Sequence, residues 1–178
     1  VPAGRPIVLL LPGYGDSGPA HWQSRWEAAD PQRFVRLRQR DWLQPRLEDW
    51  IATLERAVAD NGPQTRVAAH SLGCLLVAHW SARSRLPLRA ALLVAVPDPA
   101  GPHFPPAAAD FADPPLQALR FPSLVAISDD DPYGSPAYSH RCASAWGART
   151  VRMGARGHLN ADSGLGDWPQ GLALLEQL

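Results

Sequence analysis

The chain has 178 residues, enough for one domain that buries roughly 70% of the surface its unfolded form exposes. Seventeen basic residues balance seventeen acidic ones, so no net field favours DNA, RNA or an anionic lipid surface, and nucleic acid is not an expected partner. The apolar runs, Ile7–Leu11 and Ala90–Val96 among them, are far too short to span a bilayer, and the start lacks the basic-then-apolar layout of a signal peptide; the expectation is a soluble, cytoplasmic protein with no membrane partner, the start at Val1 leaving the true N-terminus open.

In chain order, the first expected strand is Ile7–Leu11, followed by the glycine-rich "LPGYGDSG" at residues 11–18. Trp22 and Trp26, four apart, share one face of a short helix, and core packing is their expected role. A strand over Phe34–Leu37 follows. Leu47, Trp50, Ile51, Leu54 and Val58 recur at spacings of three and four, an apolar stripe with charges opposite, and so predict an amphipathic helix.

Val67–Ala69 is the next strand. Leu72–Ala82 is apolar almost all round, as a covered central helix would be, and Ala90–Val96 and Leu124–Ile127 are two further strands. Between those two, residues 97–122 are rich in proline without helical or strand period, which predicts a long loop or flap. A helix over Pro136–Trp146, a strand over Thr150–Met153 and a last helix carrying Leu172, Leu175 and Leu178 complete the chain.

The central strands are continuous apolar runs rather than alternating ones, as in parallel strands covered on both faces. Strands alternating with helices imply an α/β fold, a three-layer α/β/α sandwich on a mostly parallel sheet. Cys74 and Cys142 have neither metal nor redox spacing, and free buried thiols are expected.

In such a sheet ligands bind beyond the carboxyl ends of the strands. Those ends carry Gly13–Gly18, Ser71, Asp98, Asp129–Asp131 and His158. Ser71 sits in "AHSLGC", with Ala69 and Gly73 two residues to either side, as a sharp strand-to-helix turn requires. Serine is also a common helix cap, and the string alone does not separate the two roles. A serine nucleophile needs a histidine base and an acid that orients it, in this fold class in the chain order Ser, acid, His.

"SDDDPY" and "GHLN" supply both. Asp131, held extended before Pro132, is favoured over Asp98 by the order rule. Asp129 and Asp130 read as solvated neighbours or caps; a metal is not expected, since the run lacks the spaced oxygens and glycine of a calcium loop. Among the histidines, His70 should point away from Ser71 because strand side chains alternate, His79 should pack within the central helix, and His103 and His140 have no evident partner. That leaves His158. The backbone N–H groups of Leu72 and Tyr14 are the expected oxyanion donors, with the alternative that residues 11–18 form a plain tight turn. Gly13, Gly15 and His21 are candidates for the pocket wall. No cofactor is called for.

The blocks "LPGYGDSGPAHWQSRWE", "QRDWLQPRLEDW", "AHSLGCLL", "SDDDPY", "WGA" and "GARGHLNADSGLGDWPQG" together resemble the α/β-hydrolase superfamily, and within it the small serine hydrolases related to retinoblastoma-binding protein nine. The resemblance spans nearly the whole chain. It implies a compact hydrolase fold without an inserted cap domain, with Ser71, Asp131 and His158 at the triad positions. Some members are described as binding the retinoblastoma protein through Leu-x-Cys-x-Glu; here Leu72 and Cys74 match but Leu76 stands in place of the glutamate, so that partner is not expected. The expected activity is hydrolysis of small, uncharged carboxylic esters through an acyl-enzyme on Ser71. A non-catalytic binding protein on the same scaffold and an amidase or peptidase are the alternatives.

Overall fold

The computed structural model describes residues 6–178. Six strands form one sheet: β1 (Val8–Leu11), β2 (Phe34–Arg36), β3 (Arg66–His70), β4 (Ala90–Val94), β5 (Ser123–Ile127) and β6 (Arg149–Arg152). Their spatial order is β2-β1-β3-β4-β5-β6, and every pairing is parallel. Five helices connect or follow them: α1 (Trp22–Ala29), α2 (Leu47–Asn61), α3 (Leu72–Arg83), α4 (Pro136–Trp146) and α5 (Pro169–Glu176).

The period-2 alternation of each strand sends side chains to two separate apolar layers. Leu9, Leu11, Val67, Leu93 and Val125 pack with residues of α2, α3 and α4. Val8, Leu10, Ala68, Leu92 and Leu124 pack with Trp22 and Trp26 of α1 and Leu174 and Leu175 of α5. The result is the α/β/α sandwich, and burial on both faces is the reason the central strands read as unbroken apolar runs. Both edges are more open: Val35 on β2 and Arg149, Thr150 and Arg152 on β6 are exposed.

After β1 the chain turns one way to β2 and then returns past β1 to β3, so the topology switches direction between β1 and β3. Loops leaving those two strands diverge there and open a crevice. Among the described residues no helix is long and apolar enough to cross a membrane.

The proline-rich stretch, expected as a long loop or flap, holds anchored turns of its own. Pro106–Phe111 forms 3₁₀ turns, and Ala108 and Phe111 are fully buried against the α2–α3 layer. The Phe111 carbonyl accepts from the His79 ring at 3.2 Å, and the Pro115 carbonyl accepts from Trp146 Nε1 at 2.9 Å. Tightly spaced prolines remove both the amide donors and the periodicity that would have announced these anchors. Cys74 and Cys142 are buried and free, and burial raises the pKa of both thiols.

Candidate active site

Ser71 is the one residue between β3 and α3, and its backbone lies at φ 54, ψ −121. For a residue with a Cβ this conformation costs about 1–3 kcal/mol and persists only where the surroundings enforce it. They do so here: the Ser71 N–H donates to the Val94 carbonyl at 2.9 Å, the last rung of the β3–β4 ladder, while the Ser71 carbonyl accepts from Cys74 N–H at 2.8 Å as α3 begins. The side chain caps nothing. A Cβ on Gly73 would lie 2.4 Å from the Leu11 carbonyl oxygen, so only glycine lets α3 start this close to β1.

The hydroxyl oxygen of Ser71 is 2.8 Å from Nε2 of His158, and Nδ1 of His158 is 2.8 and 2.9 Å from the two carboxylate oxygens of Asp131. A carboxylate only accepts, so Nδ1 carries the ring proton and Nε2 presents its lone pair to the serine O–H. The Asp131 side chain is 2% exposed and that of His158 9%. This interaction is therefore screened little by water.

Three strand ends supply these groups, and each loop is separately braced. Asp131 Oδ1 also accepts from Tyr133 N–H at 2.9 Å, which fixes the carboxylate in a tight turn before Pro132. Asp130 accepts from Gly157 N–H at 2.7 Å and from the Ser128 hydroxyl at 3.0 Å; these bonds lower its pKa. Asp129 pairs with Arg152 at 2.7 Å. The loop bearing His158 turns through Gly157 and Leu159, both at positive φ. Its far side is held by α1, where Trp22 Nε1 donates to the Leu159 carbonyl at 3.0 Å. Among the described residues Asp98 makes no hydrogen bond to His158 and caps its own turn, accepting from Ala100 N–H.

A cavity of about 370 Å³ opens over Ser71. Gly13, Tyr14, His21, Leu72 and His158 all line it; Gly15 does not. Gly15 instead forms a turn at φ 77 and gives its N–H to the Trp42 carbonyl, so the expectation that it faces a substrate is not met. Gly13 is the glycine that the approach requires, since a Cβ there would stand 2.9 Å from Ser71 Cβ and 3.3 Å from Leu72 N. Among the described residues, the N–H groups of Tyr14 and Leu72 donate to no protein acceptor. Leu72 N–H lies at the start of α3, where the helix dipole favours negative charge.

His70 corrects the sequence reading. It does not turn away but lines the cavity, its Nε2 donating to the His158 carbonyl at 2.8 Å and its ring edge-on to the His158 ring at 4.8 Å. His70 keeps to the strand alternation, on the Ala68 face towards His21 and Trp22, and it meets the site because the loop bearing His158 passes over that face. Burial holds the His70 pKa well below the usual histidine range, so the ring is neutral. His103, for which the sequence offers no partner, lies edge-on to Tyr133 at 5.9 Å, and Tyr133 covers the His158 ring at 4.3 Å. Tyr133 was legible only as the residue closing the acidic block. The Asp16–Arg36 ion pair, 2.6 Å long, ties the loop after β1 to β2, and no local motif signals it.

Among the described residues no lysine or arginine lines the cavity, and Asp16, the one carboxylate in its lining, is neutralised by Arg36. Among the described residues no cluster of histidine, cysteine and carboxylate side chains could hold a metal. Leu72, Cys74 and Leu76 are all buried within α3.

A serine hydrolase family model matches residues 8–177. The fold is similar to that of a protein from Pectobacterium atrosepticum described as YdeN-like, at 31% identity and a TM-score of 0.85, covering 96% of this chain and 89% of that one. It is also similar to the ydeN gene product of B. subtilis, at 24% identity and a TM-score of 0.78, covering 97% of each chain. The type II thioesterase BorB shares the fold at 17% identity and a TM-score of 0.67, covering 98% of this chain and 92% of that one. No curated protein matches.

Proposed function

The chain belongs to the serine hydrolase family, and on that premise we propose that it cleaves small, uncharged carboxylic esters through an acyl-enzyme on Ser71. The reading is carried by the unbroken hydrogen-bonded line from Asp131 through His158 to Ser71 beneath an open cavity. His158 Nε2 takes the Ser71 proton as Oγ bonds to the ester carbon, and the carbonyl oxygen gains the negative charge. Leu72 and Tyr14 N–H groups hold that oxyanion. Collapse breaks the bond to the alcohol oxygen, which leaves with the proton from His158. A water then gives a proton to His158 and attacks the acyl carbon, and Ser71 recovers its proton as the acid departs. Asp131 keeps the ring in the required tautomer and stabilises its transient charge.

The size of the cavity suits a small ligand, and among the described residues no lining cation offers a substrate carboxylate a partner. A non-catalytic scaffold would be expected to have a broken line or a filled pocket, which weighs against that alternative. Amide cleavage needs the leaving nitrogen protonated by the same imidazole, and matched ester and amide substrates separate the two.

The test is a fluorophosphonate probe with Ser71→Ala as control. The expected result is an adduct on Ser71, absent in the variant, with hydrolysis of an activated short-chain ester reduced by roughly 10⁶-fold, the loss seen when a serine nucleophile is removed. An adduct on another residue, or turnover unchanged in the pure variant, overturns the assignment.

A further inference from the structure

We infer that His21 holds a second oxygen of the substrate, away from the scissile carbonyl, and so selects esters that carry a hydrogen-bond acceptor on the acyl or the alcohol arm. The inference rests on the ester-hydrolase reading and adds a specificity determinant to it.

His21 precedes α1 as its N-cap, and its Nδ1 accepts from Gln23 N–H at 3.1 Å. A ring nitrogen that accepts from an amide carries no proton, so in the neutral ring the proton is on Nε2. The ring is held neutral: burial first, then the nearby Arg36 and His158, push its pKa down to about 4. His21 is 4% exposed, and its Nε2–H finds no acceptor among the described residues. Its surroundings are otherwise well satisfied. His70 Nε2 donates to the His158 carbonyl, and Gln23 bridges the Ser17 hydroxyl and the Ala68 carbonyl.

A buried donor without a partner costs about 1–3 kcal/mol, which is why such groups are rare and mark ligand sites when they line a cavity. His21 does line the cavity over Ser71. Its ring stands 4.6 Å from that of His70, which in turn stands 4.8 Å from that of His158. With the Leu72 and Tyr14 N–H groups assigned to the oxyanion, the His21 donor is left for an oxygen of the substrate other than the reacting carbonyl. Its partner must be an acceptor without formal charge, an ether, carbonyl or hydroxyl oxygen, because a neutral imidazole gives a carboxylate no compensating charge.

Two isosteric pairs test this: p-nitrophenyl pentanoate against p-nitrophenyl 3-methoxypropanoate for the acyl arm, and butyl acetate against 2-methoxyethyl acetate for the alcohol arm. Each pair differs only in a methylene replaced by an oxygen. The wild-type protein is expected to favour the oxygenated member of one pair by roughly three- to tenfold in kcat/KM, the worth of one neutral hydrogen bond. His21→Asn keeps the N-cap, since asparagine is among the best capping residues, but ends short of Nε2. His21→Gln places an amide N–H at about the same reach. The asparagine variant should lose the preference through a raised KM for the oxygenated ester, and the glutamine variant should recover it. No preference in either pair, a preference that survives in His21→Asn, or an equal drop in kcat on both members of a pair each overturns the inference while leaving ester hydrolysis standing. Wild-type protein that turns over none of the four esters sinks the ester reading, and the inference with it.

Discussion

Asp129, Asp130 and Asp131 are chemically identical neighbours with three separate tasks: one pairs with Arg152, one anchors the Gly157 amide and one faces the His158 ring. Chain order picked out Asp131 for the last task, because the fifth strand end must lie beside the loop from the sixth. Nothing local could assign the other two, whose partners come from across the sheet. Asp131→Asn should reduce kcat by about 10⁴-fold, the effect of presenting the wrong tautomer to the serine. Asp98→Asn, which keeps an acceptor for the Ala100 amide, should change turnover by less than twofold. Steady-state kinetics on one activated ester decide both, and a larger loss in the Asp98 variant would exchange their roles. His21 gives a second expectation. Its pKa is depressed, so as pH falls the unfolded chain takes up the proton first, and stability is full above the ordinary histidine value near 6.5 and is lost towards 4. The loss attributable to this ring is about 3 kcal/mol, and His70 acts in the same direction. Urea unfolding at pH 7.5 and pH 5 should show the decline, and His21→Asn should make it shallower; an unchanged slope would mean that the ring is not buried neutral.

The turn between β3 and α3 was legible as an element because its requirements are local: an apolar strand, small residues flanking a serine, and an apolar helix. The anchors of residues 106–111 were not, because proline conceals periodicity and because Ala108 and Phe111 are buried by tertiary contacts alone. Ser71 stores strain at φ 54 that alanine retains and glycine relieves. Ser71→Ala and Ser71→Gly should both be inactive, yet the glycine variant should melt about 2–4 °C higher than the alanine variant, equivalent to roughly 1 kcal/mol in a chain of this length. Equal melting temperatures would show that the turn carries no strain. At Gly73 the direction reverses, since an added Cβ 2.4 Å from the Leu11 carbonyl oxygen must push α3 away from β1. Gly73→Ala should cost about 1–3 kcal/mol by calorimetry, as overpacking does.

Across the whole molecule, the three-layer arrangement could be read from strands apolar on both faces, but the means by which the layers hold the site could not. The seven tryptophans announce a large aromatic core without revealing where their N–H groups point. Trp22 and Trp26 lie in the α1–α5 layer and donate to the Leu159 and Asp167 carbonyls. The α1 face is thereby stitched to the segment that follows His158. On the proposed mechanism, alignment of the imidazole with Ser71 then rests on a helix that contributes no group to the proton transfer. Trp22→Phe keeps an aromatic ring but frees the Leu159 carbonyl, and a displacement of about 1 Å at a reacting group can cost 10²-fold. The expected outcome is a fall in kcat of roughly 10- to 10²-fold with fluorophosphonate labelling slowed in parallel. Trp80→Phe is the matching control in the opposite layer, where Nε1 donates from α3 to the Glu55 carboxylate of α2 at 2.6 Å and the bond reaches no site loop. It should lower the melting temperature and leave the labelling rate within twofold. If both variants lose labelling in proportion to stability, general loosening rather than the Trp22 bond sets the alignment.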